Sequence, residues 1–260
     1  DRLEKAAKKE GKTAWEISEG YAREFFVHMD KLGIQRPEVV CKATDHIQEQ
    51  ILMVTELEKR GLSYKIQDGI YFDVLAYEKT GAKYGELSTL DQIKFGARLD
   101  PNPEKKDPRD LALWKFSPKG EKRHMEWESP WGVGFPGWHI ECSAMSMDKL
   151  GETIDIHTGG EDLVFPHHEN EIAQTEAYYD HHQWINYFLH TGHLNIDGLK
   201  MSKSLKNFKK ISEFINNYNA NTFRIYFVNT KWDSVMDFTE TGLNEAYGNE
   251  KYLADFFRNV

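Results

Sequence analysis

The second half of the chain alternates between two hydrophobic periods, and this narrows the fold more than any other feature. Ile154-Asp155-Ile156 is a strand-length run ending at His157, and Pro166 suits the first turn of a helix running through Glu171 to about Tyr179. Trp184 to Leu189 is again strand-like, Asp197-Gly198 reads as a turn, and Asn221 to Val228 as a helix. Strands and helices alternating at this length predict an α/β layer. In open α/β sheets ligands gather beyond the carboxyl ends of strands, where His157 and a loop holding Gly159 and Gly160 are expected to lie.

The first half is patterned differently. Ala14, Ile17, Tyr21, Phe25, His28 and Leu32 have helical spacing, Thr13 and Glu16 form a capping-box pair, and Pro37 closes the region. A second helix is expected from near Asp45, with Gln48 at the capping-box position, Ile47, Ile51, Val54 and Leu57 on one side, and a stop at Gly61. From Ser63 the period becomes two: Tyr64 and Ile66 alternate, Asp68-Gly69 reads as a hairpin turn, and Ile70, Phe72 and Val74 alternate again. The stretch Asp100 to Pro108 is dense in proline and charge and reads as a surface connection. Trp114, Trp127, Trp131 and Trp138, interleaved with prolines, fit either a pocket lining or a sealed domain junction.

Composition sets the outer bounds. With 260 residues and 40% hydrophobic content the chain can fill one large core or two modest ones. Its longest aliphatic run, Ile51 to Val54, is far short of the ~20 residues that cross a bilayer, so no membrane span is expected. Asp1 to Gly11 lacks the apolar stretch of a signal peptide. Two cysteines, Cys41 and Cys142, make no disulfide framework and fit a reducing compartment. A chain opening on Asp1 reads as a fragment, a processed product or part of something longer.

The densest chemical constellation is His157, Gly159, Gly160, Asp162, His167, His168, Glu169 and Glu171, with Cys142 upstream. On a helix His167 and Glu171 share a face, while His168 points about 100° away. Thiolate, imidazole and carboxylate are all zinc donors, so Cys142, His167 and Glu171 could supply three of four ligands. The plainer alternative is a surface polar pair beside a small buried cysteine. The H-E-x-x-H order of zinc proteases is absent, which argues against hydrolysis. No spacing rule selects an acid/base pair among Asp155, Asp162, Glu169 and Glu171.

A second candidate is Lys200-Met201-Ser202-Lys203-Ser204-Leu205-Lys206-Asn207, followed by Lys209 and Lys210, a basic loop in a chain of formal charge −9. Ammonium groups beside hydroxyls suit developing phosphate charge. A solvated basic face is the alternative, with Met201 and Leu205 simply anchoring the loop.

Together these residues carry a resemblance. Lys200 to Ser204 reads letter for letter as the second signature of class I aminoacyl-tRNA synthetases. Gly137-Trp138-His139-Ile140-Glu141-Cys142-Ser143-Ala144-Met145 and Phe165-Pro166-His167-His168-Glu169-Asn170-Glu171 resemble blocks of the cysteinyl-tRNA synthetases. Leu189 to Leu194 and Ser204 to Phe208 resemble the eukaryotic-type version, and weaker likeness covers nearly the whole chain. The resemblance implies an α/β, Rossmann-like catalytic domain with a connective insertion and the start of a helical region. Its divisions are 1–36 ending the first Rossmann half, 37–136 the insertion, 137–196 the second half with zinc ligands, and 197–260 the signature loop and a helical stem-contact region.

The same resemblance implies the chemistry: ATP and L-cysteine form cysteinyl-adenylate, and the cysteinyl group passes to cysteine tRNA. Zn²⁺ would be held by Cys142, His167 and Glu171, with a fourth protein ligand and the first class I signature upstream of Asp1; Cys41 does not match that ligand. Trp138, His157 and Asp162 correspond to substrate-binding positions. Lys203 and Lys200 correspond to catalytic positions, and Lys203, Gly159 and Gly160 to ATP-binding ones, with Mg²⁺ accompanying ATP. A cytoplasmic location follows, with no membrane partner, and the isolated segment is expected to be inactive. A cysteine ligase acting on an amino sugar and an inactive structural or RNA-associated relative remain the alternatives.

Overall fold

The computed structural model describes residues 2–87, 102–120, 122–201, 205, 207–215 and 217–259. They form a mixed α/β fold in two compact units, one built from 40–189 and the other from 1–39 with 190–260.

In the 40–189 unit, α3 (Ile47–Lys59) turns Ile47, Ile51, Met53, Val54 and Leu57 into the core. Its start differs from expectation. Ala43–Asp45 form a 3-10 turn and the N-cap is His46 without a side-chain cap, so no capping box forms. His46 Nδ1 instead lies 2.9 Å from the Lys42 carbonyl, a contact that does not cap the helix. β1 (Ser63–Ile66) and β2 (Gly69–Phe72) make the expected antiparallel hairpin, but Ile66 pairs with Gly69, which moves the turn one residue earlier to 67–68. Gly69 stands where any Cβ would collide with the Trp114 carbonyl of the next strand. Val74 leaves the sheet to begin α4 (Val74–Lys79), because Asp73 caps it by accepting from Ala76 N.

β3 (Leu111–Phe116) and β4 (Gly134–Pro136) complete a four-stranded antiparallel sheet in the order β1-β2-β3-β4. Trp114 is therefore a fully buried strand residue, with Trp131 packed 6.2 Å away. α5 (Trp138–Leu150) and α6 (Glu169–Tyr179) pack with α3 on the same core as Leu113 and Trp114. β5 (Ile154–Gly160) and β6 (Ile185–Thr191) pair as a separate two-stranded sheet over Ile172 and Trp184. Gly159 and Gly160 thus end a strand instead of forming a loop.

In the other unit, α1 (Arg2–Glu10), which has no counterpart in the sequence reading, packs on α2 (Ala14–Lys31). The Thr13–Glu16 capping box forms at the start of α2 as expected. β7 (Leu194–Ile196) turns through Asp197-Gly198 into β8 (Leu199–Lys200) and pairs in parallel with β9 (Met236–Phe238). The short α7 (Ile211–Phe214), α8 (Ala220–Val228) and α9 (Glu240–Arg258) follow, with Phe223, Tyr226, Leu243 and Ala246 in a second core. No helix among the described residues is long and apolar enough to cross a membrane.

Candidate functional site

α6 sets the problem, because its residues from Glu169 to Ala177 are all buried although most are polar. Buried polar groups need partners, and each of several side chains has one. The Glu169 carboxylate accepts from Glu86 N and Leu87 N at 2.8 and 2.7 Å. Asn170 Oδ1 accepts from the Tyr84 hydroxyl at 2.5 Å. Glu176 caps the backbone beyond the helix, accepting from Gln183 N at 2.7 Å and Trp184 N at 3.2 Å.

Glu171 is different. One oxygen lies 2.8 Å from His157 Nε2 and the other 2.7 Å from His167 Nε2. These are ion-pair distances with angles outside hydrogen-bond geometry, and neither oxygen has a hydrogen-bond partner among the described residues. Burial opposes the charge, but the two imidazoles prevail and hold this carboxyl down at about 2.

Cys142 comes to the same place from α5. Gly137, which starts that helix, lies so close to β3 that a Cβ would strike the Ala112 carbonyl, and its N–H donates to Leu113 O at 2.9 Å. The ligand atoms of Cys142, His167 and Glu171 all lie within 4.8 Å of one another. Burial, with Glu171 and Glu141 adding to it, pushes the Cys142 thiol up to about 12. A soft donor, an imidazole and a carboxylate with unsatisfied buried oxygens converge on one point, and this donor set fits Zn²⁺.

The rings around the trio orient it. Trp138 stacks on His167 at 4.2 Å. His139 Nδ1 is 2.8 Å from His167 Nδ1, and burial, reinforced by His167, lowers the His139 pKa to about 3. For His167 Nε2 to act as a ligand its proton must sit on Nδ1, and neutral His139 is placed to accept it.

His168 has its ring 4.4 Å from that of His157, and these two with Glu171 form a second close group, separate from that of Cys142 and His167. The 164–168 turn is not regular helix, since Phe165 is extended at φ −128° and ψ 133°, but His168 itself is helical at φ −67° and ψ −35°. Gly159 admits the His168 ring, which would lie 2.8 Å from any Cβ there. Asp162 is exposed, with its carboxylate over Gly160. Cys41 belongs to none of the close donor groups found among the described residues.

Of the basic loop, Lys200 Nζ lies 3.1 Å from His193 Nε2. Met201 packs on the second core, whereas Leu205 is exposed. Asn207 Nδ2 donates to the Leu199 and Lys200 carbonyls and closes the base of the loop. Lys203, with Ser202, Ser204 and Lys206, lies outside the described residues. Sequence reading quoted His139 and Asn207 within their blocks but gave neither a role of its own. For His139 the signal was its position three residues before Cys142 on one helix.

Fold and sequence together define the class: the chain belongs to the family of class I (C) tRNA synthetase catalytic domains, which matches residues 1–248. The solved methionyl-tRNA synthetase of Mycobacterium tuberculosis, in complex with methionyl-adenylate, superposes with a TM-score of 0.66 at 13% identity, covering 94% of this chain and 57% of that one; this shows the fold alone.

Within the class, three similar relatives carry one name. The Cysteine--tRNA ligase of Thermococcus gammatolerans is 41% identical over 262 aligned residues, covering 100% of this chain and 53% of the relative. That of Methanococcus maripaludis strain C7 is 42% identical with the same coverage. That of Thermococcus kodakarensis is 44% identical over 245 residues, covering 94% of this chain and 50% of the relative. The chain spans about half the length of these relatives.

Proposed function

We propose that this chain contributes the amino-acid-selecting part of an enzyme that uses ATP to attach L-cysteine to its tRNA through a cysteinyl-adenylate. The observation that carries the reading is Glu171, a buried carboxylate whose two oxygens lack hydrogen-bond partners among the described residues, facing Cys142 and His167. Membership of the synthetase family and the specificity named for its relatives support it.

Cys142, His167 and Glu171 are the residues that would hold Zn²⁺. When bound, zinc supplies a coordination position that a substrate thiolate fills well and a serine hydroxyl poorly. His139 keeps the His167 proton away from the donor nitrogen, and the Trp138 face limits its rotation. His157 sits beside the Glu171 carboxylate, where a substrate ammonium or thiol proton would arrive. Trp138, His157 and Asp162 bind the amino acid, while Gly159 and Gly160 leave room for ATP, which enters with Mg²⁺. Lys200 and Lys203 meet the charge of departing pyrophosphate, contacts that lower the barrier if they strengthen in the transition state. The divisions 1–36, 37–136, 137–196 and 197–260 then serve as the end of one Rossmann half, a connective insertion, the second half, and the signature loop with a stem-contact region.

The test is cysteine-dependent pyrophosphate exchange by the full-length protein, alongside its zinc content. One zinc per chain and exchange with cysteine but not serine are expected, both lost in Cys142→Ala. Exchange with another amino acid, or cysteine exchange unaffected by that substitution, overturns the reading.

A further inference from the structure

α5 and α6 carry the donors from opposite sides: Cys142 on α5, Glu171 on α6. They pack on each other and share one core, to which they contribute Ile140, Ala144, Ala173 and Ala177. Apolar packing of this kind sets a register only coarsely, because dispersion has no direction. Metal ligands tolerate little such slide, since their distances must hold to about 0.2 Å.

Directional contacts in that interface come from Ser143, immediately behind the donors. Ser143, next to Cys142 and fully buried, donates from Oγ to Gln174 Oε1 at 3.1 Å, with the Glu171 carbonyl 3.5 Å away. Gln174 is three residues beyond Glu171 and equally buried. Stability alone does not account for the pair. Gln174 Nε2 has no hydrogen-bond partner among the described residues, and an apolar pair of similar shape would fill such an interface without an orphaned donor. What the hydrogen bond does supply is register.

We propose that Ser143 and Gln174 are positioning residues for the metal-ligand set, their hydrogen bond fixing the register of α5 on α6 and with it the separation of the Cys142 thiol and the Glu171 carboxylate. The inference rests on the zinc reading above and adds two residues that touch neither metal nor substrate. Partners behind the ligands of a metal typically change its affinity about 10- to 100-fold when removed.

The experiment compares the full-length protein with Ser143→Ala, Gln174→Met and the double variant. Zn²⁺ affinity is read by competition with a chromophoric chelator, ligand geometry by the visible spectrum of the Co²⁺-loaded protein, and folding by thermal unfolding of the metal-free form. Each single substitution is expected to weaken zinc binding about 10- to 100-fold and to shift the Co²⁺ bands. The double variant should be no worse than Ser143→Ala, because that substitution already removes the Gln174 hydrogen bond together with the longer one to the Glu171 carbonyl. Metal-free unfolding should change little. Gln174→Met keeps the length of the side chain and removes the orphaned donor, so it decides the matter even if Ser143→Ala does not fold.

Zinc affinity within twofold of the unsubstituted protein in Gln174→Met, or an unchanged Co²⁺ spectrum, overturns the proposal while leaving the zinc reading intact. Loss of affinity matched by an equal loss of metal-free stability also overturns it, in favour of a purely structural contact. An unsubstituted protein that binds no zinc overturns both.

Discussion

Glu169, Asn170 and Glu176 each receive a backbone or hydroxyl donor, whereas Glu171 faces two imidazoles and a thiol. The consequences of substitution should therefore diverge along one helix. Glu169→Ala strands the N–H groups of Glu86 and Leu87 in a partly buried site and is expected to cost about 2–4 kcal/mol in denaturant unfolding. Glu171→Gln removes an anionic metal donor and should abolish stoichiometric zinc binding, measured by dialysis against buffered zinc, while the protein still folds. Lys203→Ala is expected to lower kcat and kcat/KM of pyrophosphate exchange together while leaving cysteine affinity nearly unchanged; a large rise in KM with normal turnover would assign Lys203 to ground-state binding. The His167 and Glu171 pairing was legible because four residues on a helix share a face. The surroundings of His168 were not, because its neighbour His157 comes from a different element, β5.

At the scale of elements, the readable parts are those whose signals are local. The α2 capping box and the turn at Asp197-Gly198 are written in neighbouring residues and form as expected. α5 carries no such signal, since its N-cap is Gly137 with no side-chain cap and its helical start is set by close packing on β3. β3 and β4 were hidden among tryptophans and prolines whose roles appear only when the sheet pairs. The hairpin turn lies one residue earlier than Asp68-Gly69 because Gly69 is required inside the strand, against Trp114. That sheet should be sensitive at its centre: Leu113, fully buried beneath α5, when changed to Ala is expected to cost about 2–5 kcal/mol, read as a lower denaturant midpoint with an unchanged slope.

For the molecule as a whole, formal charge and composition said little about what stabilises it in acid. Just beyond the stretch expected to be a surface connection, Asp110 is a buried carboxylate that accepts from Val74 N, Asp107 N and the Tyr64 hydroxyl. Beside it Arg109 bridges Asp107 and Glu78. Arg109 holds the Asp107 carboxyl below its ordinary value of 3.8. A carboxyl with a lowered folded value stabilises above its unfolded pKa and loses that contribution as pH falls through the folded one. Asp107→Asn should therefore cost about 1–2 kcal/mol at neutral pH, with the gap from the unsubstituted protein closing below about pH 4; a gap constant with pH would deny the ion pair its role. The family was legible because the Lys200 to Ser204 signature and two blocks, around Cys142 and around Glu171, stand in the sequence itself, and the fold brings the donors of those two blocks together. The most direct test of that chemistry is zinc-edge X-ray absorption on the full-length protein, without and with L-cysteine. The account predicts zinc bound with sulfur, nitrogen and oxygen neighbours, and one additional sulfur neighbour when cysteine, but not serine, is added. An unchanged sulfur count on adding cysteine would contradict it.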